Sequence, residues 1–396
     1  MFVLVKRLLL IKMKKIQIAF LTTFALSVLY YLLSSRSRRN IDESALEFEP
    51  SITLPNDKVH IFYDAFYRNE KTDKAFLNWY KNGSEKILNT RYYPELDLYS
   101  SNNPAVVDLH MKQIRNAGVG VVVVSWWPND HPNSPPMLLI LNRAQKYGLK
   151  VTIHVQNYPD RTLTNLMKNI KNVLDTYGNH SAFYLLKVPK QKRPLPLIYI
   201  YESLAIKPSS WNQALDPSSK YTIRNTKYDA LFIGLIIQET DRYLVANSDF
   251  DGYYTMLSLS DHTYASTWYY WPYIQDFARD HNLIFIPTIS PGYDYRMSKK
   301  NMDPLLIPPL VSRDFGGYYD RAWFRAIVSK SKFIAINSFN GWLAGTQIEP
   351  ALPSEDVNEK LKRNYEDYAP GTGEEYLLKT RKWVIEFSNR SLYRSP

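Results

Sequence analysis

From residue 58 the chain repeats one arrangement of apolar and polar positions. A short apolar run, rich in β-branched residues, ends in polar or aromatic residues, and an amphipathic stretch follows. The runs are "VHIFYDAFY" (59–67), "VGVVVVSWW" (119–127), "KVTIHVQNY" (150–158), "PLIYIYES" (196–203), "ALFIGLIIQ" (230–238), "DGYYTML" (251–257), "LIFIPTIS" (283–290) and "FIAINSF" (333–339). The stretch "NPAVVDLHMKQIRNAG" (103–118) has Pro at its start, apolar residues at helical spacing and Gly at its end, the signature of a complete helix. Similar patterns cover 135–148, 164–178, 273–282, 318–331 and 375–389, while 204–229 shows no clear helix. Continuous apolar strands alternating with helices describe a parallel sheet covered by helices. Eight such units predict a (β/α)8 TIM barrel, and the lack of a Gly-rich turn after the first run argues against a dinucleotide fold.

The first residues follow a different pattern. "IQIAFLTTFALSVLYYLL" (16–33) is uncharged and apolar, and as a helix it reaches about 27 Å, enough to cross a thin bilayer. Five basic residues precede it and three follow closely. The heavier positive side stays cytosolic, so a tail (1–15), a transmembrane signal anchor (16–33), a lumenal stem (34–57) and a lumenal barrel domain (58–396) are expected. The rival is a cleaved signal peptide, but the bulky "YYLL" before Ser34 and Ser35 is a poor small-residue cleavage site. Sequons at Asn82, Asn179 and Asn389 suit a lumenal, glycosylated body.

Composition changes this picture in two places. The net charge of +11 suggests nucleic acid, but eight basic residues and no acid lie in the first forty positions. The rest carries 41 basic against 38 acidic side chains, so no nucleic-acid partner is expected. There are no cysteines, and the seven His show no metal-ligand spacing, so neither disulfides, a metal nor a cofactor is expected.

In a barrel of this kind, chemistry sits at the C-terminal strand ends. Those ends are rich in Tyr, Trp, Asn and Gln and poor in carboxylates, which suits a carbohydrate better than a phosphate. His154 is either a satisfied core histidine or an inward site residue. Trp126 and Trp127 face opposite ways on a strand, so only one of them can stack a sugar. Glu202 closes an apolar strand and is either paired within the barrel or exposed at the cleft. Asp251, before Gly252, reads as a turn. Gly341 and Ala344, three apart in "SFNGWLAGTQIE" (338–349), stand where a pair of carboxylates would lie close together, and neither carries a functional group.

These motifs, with "YYPELDLYSSNNPAVVDLHMKQIRNAGVGVVVVSWWP", "YGNHSAFY" and "NLIFIPTISPGY", resemble glycoside hydrolase family 99, the endo-α-1,2-mannosidases that trim glucosylated mannose from N-glycans in the Golgi. The resemblance runs from about residue 59 to about residue 389. It implies a (β/α)8 barrel on a type II membrane anchor in the Golgi, acting on mannose-containing N-glycans. The family pattern at the last strand is S-F-N-E-W-x-E-G-T-Q-I-E. Its two catalytic Glu fall on Gly341 and Ala344, while Asn340, Trp342 and Glu349 match. A third site Glu falls on Gln156, His154 and Tyr158 match, and Trp127 stands in place of a Tyr.

The family's neighbouring-group mechanism needs one Glu to assist the sugar 2-hydroxyl and another to protonate the departing oxygen. Gly and Ala supply neither, and each such group is worth roughly 10²–10⁴ in rate. The resemblance therefore implies a pseudoenzyme without catalytic residues that still binds glycan through Tyr63, Trp126, His154, Gln156, Tyr254, Asn340 and Trp342. Two alternatives stand beside it. One is an active glycosidase with relocated carboxylates, such as Glu202, Glu239 or Asp294. The other is a non-catalytic scaffold partner of an active paralogue.

Overall fold

A computed structural model describes residues 55–392, apart from 81–87, 89, 190, 259–261, 295–309 and 362. The expected tail and anchor, nearly all of the stem and Asn82 lie outside the described residues. Among the described residues no helix is long and apolar enough to cross a membrane.

Eight parallel runs build the barrel. They are β1 (Asn56–Tyr63), β2 (Val119–Trp126), β3 (Lys150–Val155), β4 (Leu195–Ile200), β5 (Leu231–Leu235), β6 (Gly252–Tyr254), β7 in two pieces (Ile284–Ile286 and Thr288–Ile289) and β8 (Ile334–Ile336). β2 is buried at all eight positions, as a parallel strand with helices on one face and a filled interior on the other must be. The ladder runs from β1 through β2, β3, β4, β5 and β6 to the first piece of β7, and from β1 through β8 to the second piece. Both pieces belong to one stretch broken at Pro287, which has no N–H to offer the ladder. The ring therefore returns on itself through β7. At the break, Thr288 N–H donates to the Thr255 hydroxyl at 2.8 Å instead.

The covering helices are α1 (Pro104–Asn116), α2 (Met137–Lys146), α3 (Leu163–Tyr177), α4 (Pro208–Leu215), α5 (Asp241–Ala246), α6 (Trp271–Asp280), α7 (Gly317–Val328) and α8 (Glu375–Leu392). The α1 start is capped by the Asn103 side chain on Ala105 N–H, with Pro104 in the first turn. The region without helical periodicity holds only the short α4 and a turn organised by Arg224. That guanidinium reaches the carbonyls of Leu215, Ala230 and Asp249 and pairs with Asp229 and Asp251. Asp251 is thus a bound counter-ion, not simply a turn residue, and its carboxylate also accepts from Phe232 N–H at 2.8 Å.

Strand alternation sorts side chains into two cores. Phe62, Val121, Val123, Tyr199, Ile233 and Tyr254 fill the barrel interior. Tyr63, Val122, Val124 and Trp126 join the layer between strands and helices.

Candidate functional site at the barrel mouth

The same alternation decides which strand-end residues reach the mouth. On β1, Phe62 points inward and Tyr63 outward, so Asp64 returns to the inner side. On β2, Val123 points inward, and so does Ser125, whose hydroxyl donates to Asp64 Oδ1 at 2.8 Å. On β3, His154 is inward and buried, its ring 4.9 Å from that of Phe62. His154 Nε2 lies 2.6 Å from the Tyr254 hydroxyl, and its Nδ1 lies 2.8 Å from the amide nitrogen of half-buried Gln156. Burial, with the nearby Arg161 charge, lowers the His154 pKa to about 3, so the ring is neutral at ordinary pH. It is a polar floor for the mouth rather than a proton carrier.

Past β8 the chain is clipped onto β1. Asn340 accepts from Asp64 N–H at 2.7 Å and donates to Asp64 C=O at 2.8 Å. Beyond it, the fully buried Glu349 carboxylate accepts from Trp342 Nε1–H at 2.7 Å and from the Tyr99 hydroxyl at 2.8 Å. His110 Nε2 stands 2.9 Å from Glu349 Oε1, close enough for ion pairing but poorly aligned as a hydrogen bond. His110 Nδ1 lies 2.9 Å from the Tyr63 hydroxyl. The loop 345–347 is held from the other side by buried Arg313. Its Nη2 donates to Gly345 C=O at 3.0 Å and Gln347 C=O at 2.8 Å. The guanidinium lies 4.6–4.9 Å from the ring centres of Tyr92, Tyr368 and Tyr376, a cation seated among aromatic rings.

Between these clips lie Gly341 and Ala344. Gly341 N–H donates to Ser338 Oγ at 2.7 Å, and the hydroxyls of Ser338 and Thr346 meet at 3.1 Å. A Cβ added at position 341 would overlap both of those hydroxyls. The space beside the missing side chain is closed by a hydroxyl pair, not left open. Ala344 is half-buried, and its carbonyl accepts from Asp294 N–H at 2.8 Å.

Several expected sugar-binding residues are placed elsewhere. Tyr63 is fully buried on the outer face of β1 against His110, and Trp126 is buried on the face it shares with Val122 and Val124. Asn340 and Trp342 are buried and occupied by the clips described above. Tyr254 and His154 lie beneath the mouth, and Gln156 lies at it. Of the carboxylates considered as replacements, Glu202 accepts from Asn157 Nδ2–H at 2.9 Å, and Glu239 pairs with Arg242 at 2.8 Å. Asp294 pairs with Arg91 at 3.4 Å. Asn179 and Asn389 are exposed. Sequence reasoning did not single out Asp64 or Ser125. Counting the period-two alternation forward from Phe62 would have found the first.

The comparisons with known proteins agree with this architecture. The sequence model of glycosyl hydrolase family 99 matches residues 54–389. The chain belongs to that family. Within family 99 it is 37% identical over 365 residues to the glycoprotein endo-α-1,2-mannosidase of Xenopus laevis, covering 86% of this chain and 78% of that one. It is 33% identical over 353 residues to the human glycoprotein endo-α-1,2-mannosidase-like protein, covering 83% and 76%. The solved GH99 endo-α-mannosidase of Bacteroides thetaiotaomicron superposes with a TM-score of 0.77 at 34% identity, covering 87% of this chain and 100% of that one. Membership in family 99 and the barrel are therefore established on sequence and structure together.

Proposed function

We propose that this chain is a family 99 protein that holds mannose-containing glycans in its barrel mouth without hydrolysing them, from a lumenal position on the Golgi membrane. The observation that carries the loss of hydrolysis is the hydroxyl pair closed beside Gly341 at the end of β8. The catalytic Glu of the family pattern fall on Gly341 and Ala344, and neither residue can give or take a proton. Glu239 and Asp294 are each tied to an arginine, Arg242 and Arg91, while Glu202 accepts one hydrogen bond from Asn157. Glu349 is likewise committed to Trp342, Tyr99 and His110. Neutral, half-buried Gln156 at the mouth suits sugar hydroxyls, with His154 and Tyr254 bonded to each other beneath it. The Golgi position rests on the apolar run 16–33, its basic flanks and the family resemblance.

Calorimetric titration of the full chain with an α-1,2-linked mannose disaccharide, with a hydrolysis assay on the same sample, tests both parts. Binding without cleavage is the expected result. Cleavage would overturn the reading of positions 341 and 344. Neither binding nor cleavage would favour the scaffold alternative, and exposed surfaces would then become the place to search.

A further inference from the structure

One carboxyl at the mouth has no structural commitment that uses it up. The Asp64 backbone is fixed by Asn340, and its side chain shares the inner face with Phe62. Oδ1 is taken by the Ser125 hydroxyl at 2.8 Å, while no described donor reaches Oδ2, and the residue keeps part of its surface exposed. No cation pairs with it among the described residues. A lone carboxylate held rigid in a neutral polar mouth is a costly arrangement unless a ligand uses it.

We propose that Asp64 is the carboxylate through which the mouth grips sugar, with its open Oδ2 accepting hydrogen bonds from neighbouring hydroxyls of a neutral mannose-containing oligosaccharide. This rests on the reading of the mouth as a glycan site and adds the residue and the protonation state that do the holding. An ionised carboxylate is acceptor-only and bonds hydroxyls about twice as strongly as a neutral acceptor does, whereas a protonated one loses much of that capacity. Burial raises the Asp64 pKa to about 6 against the opposing Ser125 hydrogen bond. The groups around it leave the titration to Asp64 itself. Ser125, Asn340 and Gln156 do not ionise in this range, and His154 below is neutral. Tyr63 and Tyr67 are pushed well above their ordinary pKa, by burial first and by the Asp64 and Glu349 charges after it. Glu349 and His110 face each other behind β1. Glycan grip therefore strengthens as pH rises through the Asp64 transition, and binding expels a proton.

The test is calorimetric titration of the full chain with α-1,2-mannobiose at about pH 5 and about pH 7.5, repeated near pH 6 in buffers of different ionisation heat. With a pKa of about 6 the ionised fraction is roughly 0.09 at the lower pH and roughly 0.97 at the higher. The wild-type affinity should thus rise about tenfold, with about half a proton released per ligand near pH 6. Asp64→Asn should bind more weakly and with no pH dependence. Ser125→Ala, which removes the hydrogen bond favouring the anion, should move the midpoint to higher pH, a shift that a merely structural role for Asp64 would not produce. Equal wild-type affinity at both pH values without proton release, or an Asp64→Asn variant that keeps the wild-type profile, overturns this proposal alone. Wild-type chain that binds at neither pH overturns the glycan-site reading beneath it. If Asp64→Asn does not fold, proton release by the wild type decides the matter.

Discussion

Replacing Glu349 by Ala should unfold much of this protein's margin of stability, and the size of the loss separates a structural carboxylate from a substitute catalytic acid. Glu349 is fully buried and holds three side chains at once: Trp342 at 2.7 Å, Tyr99 at 2.8 Å and His110 at 2.9 Å. Hydrogen bonds to a charged group are worth about 1.5–3 kcal/mol each, and each buried donor left without a partner costs about 1–3 kcal/mol. These figures overlap because the network is coupled, so they do not add. The expected loss for Glu349→Ala is about 4 kcal/mol, against a total domain stability of about 5–15 kcal/mol. Glu349→Gln keeps the shape, an acceptor oxygen and an amide, and should cost only about 1–2 kcal/mol. Urea unfolding followed by tryptophan fluorescence measures both, with a lower midpoint at unchanged slope as the expected signature. A loss below about 1 kcal/mol for Glu349→Ala would refute the reasoning and reopen Glu349 as a residue kept for chemistry.

Further outcomes follow from the same geometry. Restoring both carboxyls with Gly341→Glu and Ala344→Glu requires the Ser338 and Thr346 hydroxyls to turn away from position 341, and with that adjustment should produce disaccharide release, each group contributing roughly 10²–10⁴. Either change alone should stay silent. Chromatography of a digested glycan checks this, and an inactive double variant that still binds glycan would show that the mouth lost more than its two carboxyls. Arg313→Ala should cost about 3–5 kcal/mol, since it empties a buried cation site and frees the carbonyls of Gly345 and Gln347; thermal unfolding measures it. Asp64 titrates near 6 in the folded chain and near 3.9 when unfolded, so the folded state holds the extra proton between those values. Its contribution therefore weakens the fold as pH rises through that window, by about 1–3 kcal/mol after solvent screening. Asp64→Asn should accordingly melt higher than wild type near pH 7.5 and level with it near pH 4. A variant no more stable at the higher pH would remove the support for a perturbed carboxyl.

The strands and most helices were legible because their signals are local. An all-apolar run such as "VGVVVV" has nowhere to lie but a doubly covered parallel strand, and Pro104 with its Asn103 cap marks the α1 start within one residue. The turn at 216–229 was not legible, because its order comes from one guanidinium collecting carbonyls from three segments. Site residues fared worse for the same reason. Asn340 meets Asp64 across 276 residues and Glu349 meets Tyr99 across 250, and no periodicity in the chain reports such pairs. Matching the family pattern identified residues that belong to the site's framework. It did not show which of them face the mouth. Tyr63, Trp126 and Trp342 carry attractive sugar-binding chemistry but are turned into the packing, whereas Asp64, which sequence reasoning did not single out, is turned inward.

The distribution of retained and missing groups has a physical logic of its own. Removing carboxyls at 341 and 344 strands no buried partner, because the Gly341 N–H is satisfied by Ser338 and the Ser338 and Thr346 hydroxyls satisfy each other. The absence of both carboxyls therefore costs the fold little. Removing Glu349, Asn340 or Arg313 would instead leave buried donors, acceptors or charges without partners, at a cost of several kcal/mol each. The barrel can therefore lack carboxyls at these two positions and keep the shape of its mouth, since the side-chain clips that hold the β8 end against β1 do not pass through them. That separation makes a binding role without turnover physically coherent. It also makes Asp64, whose burial runs against stability, the residue at the mouth least explained by folding alone.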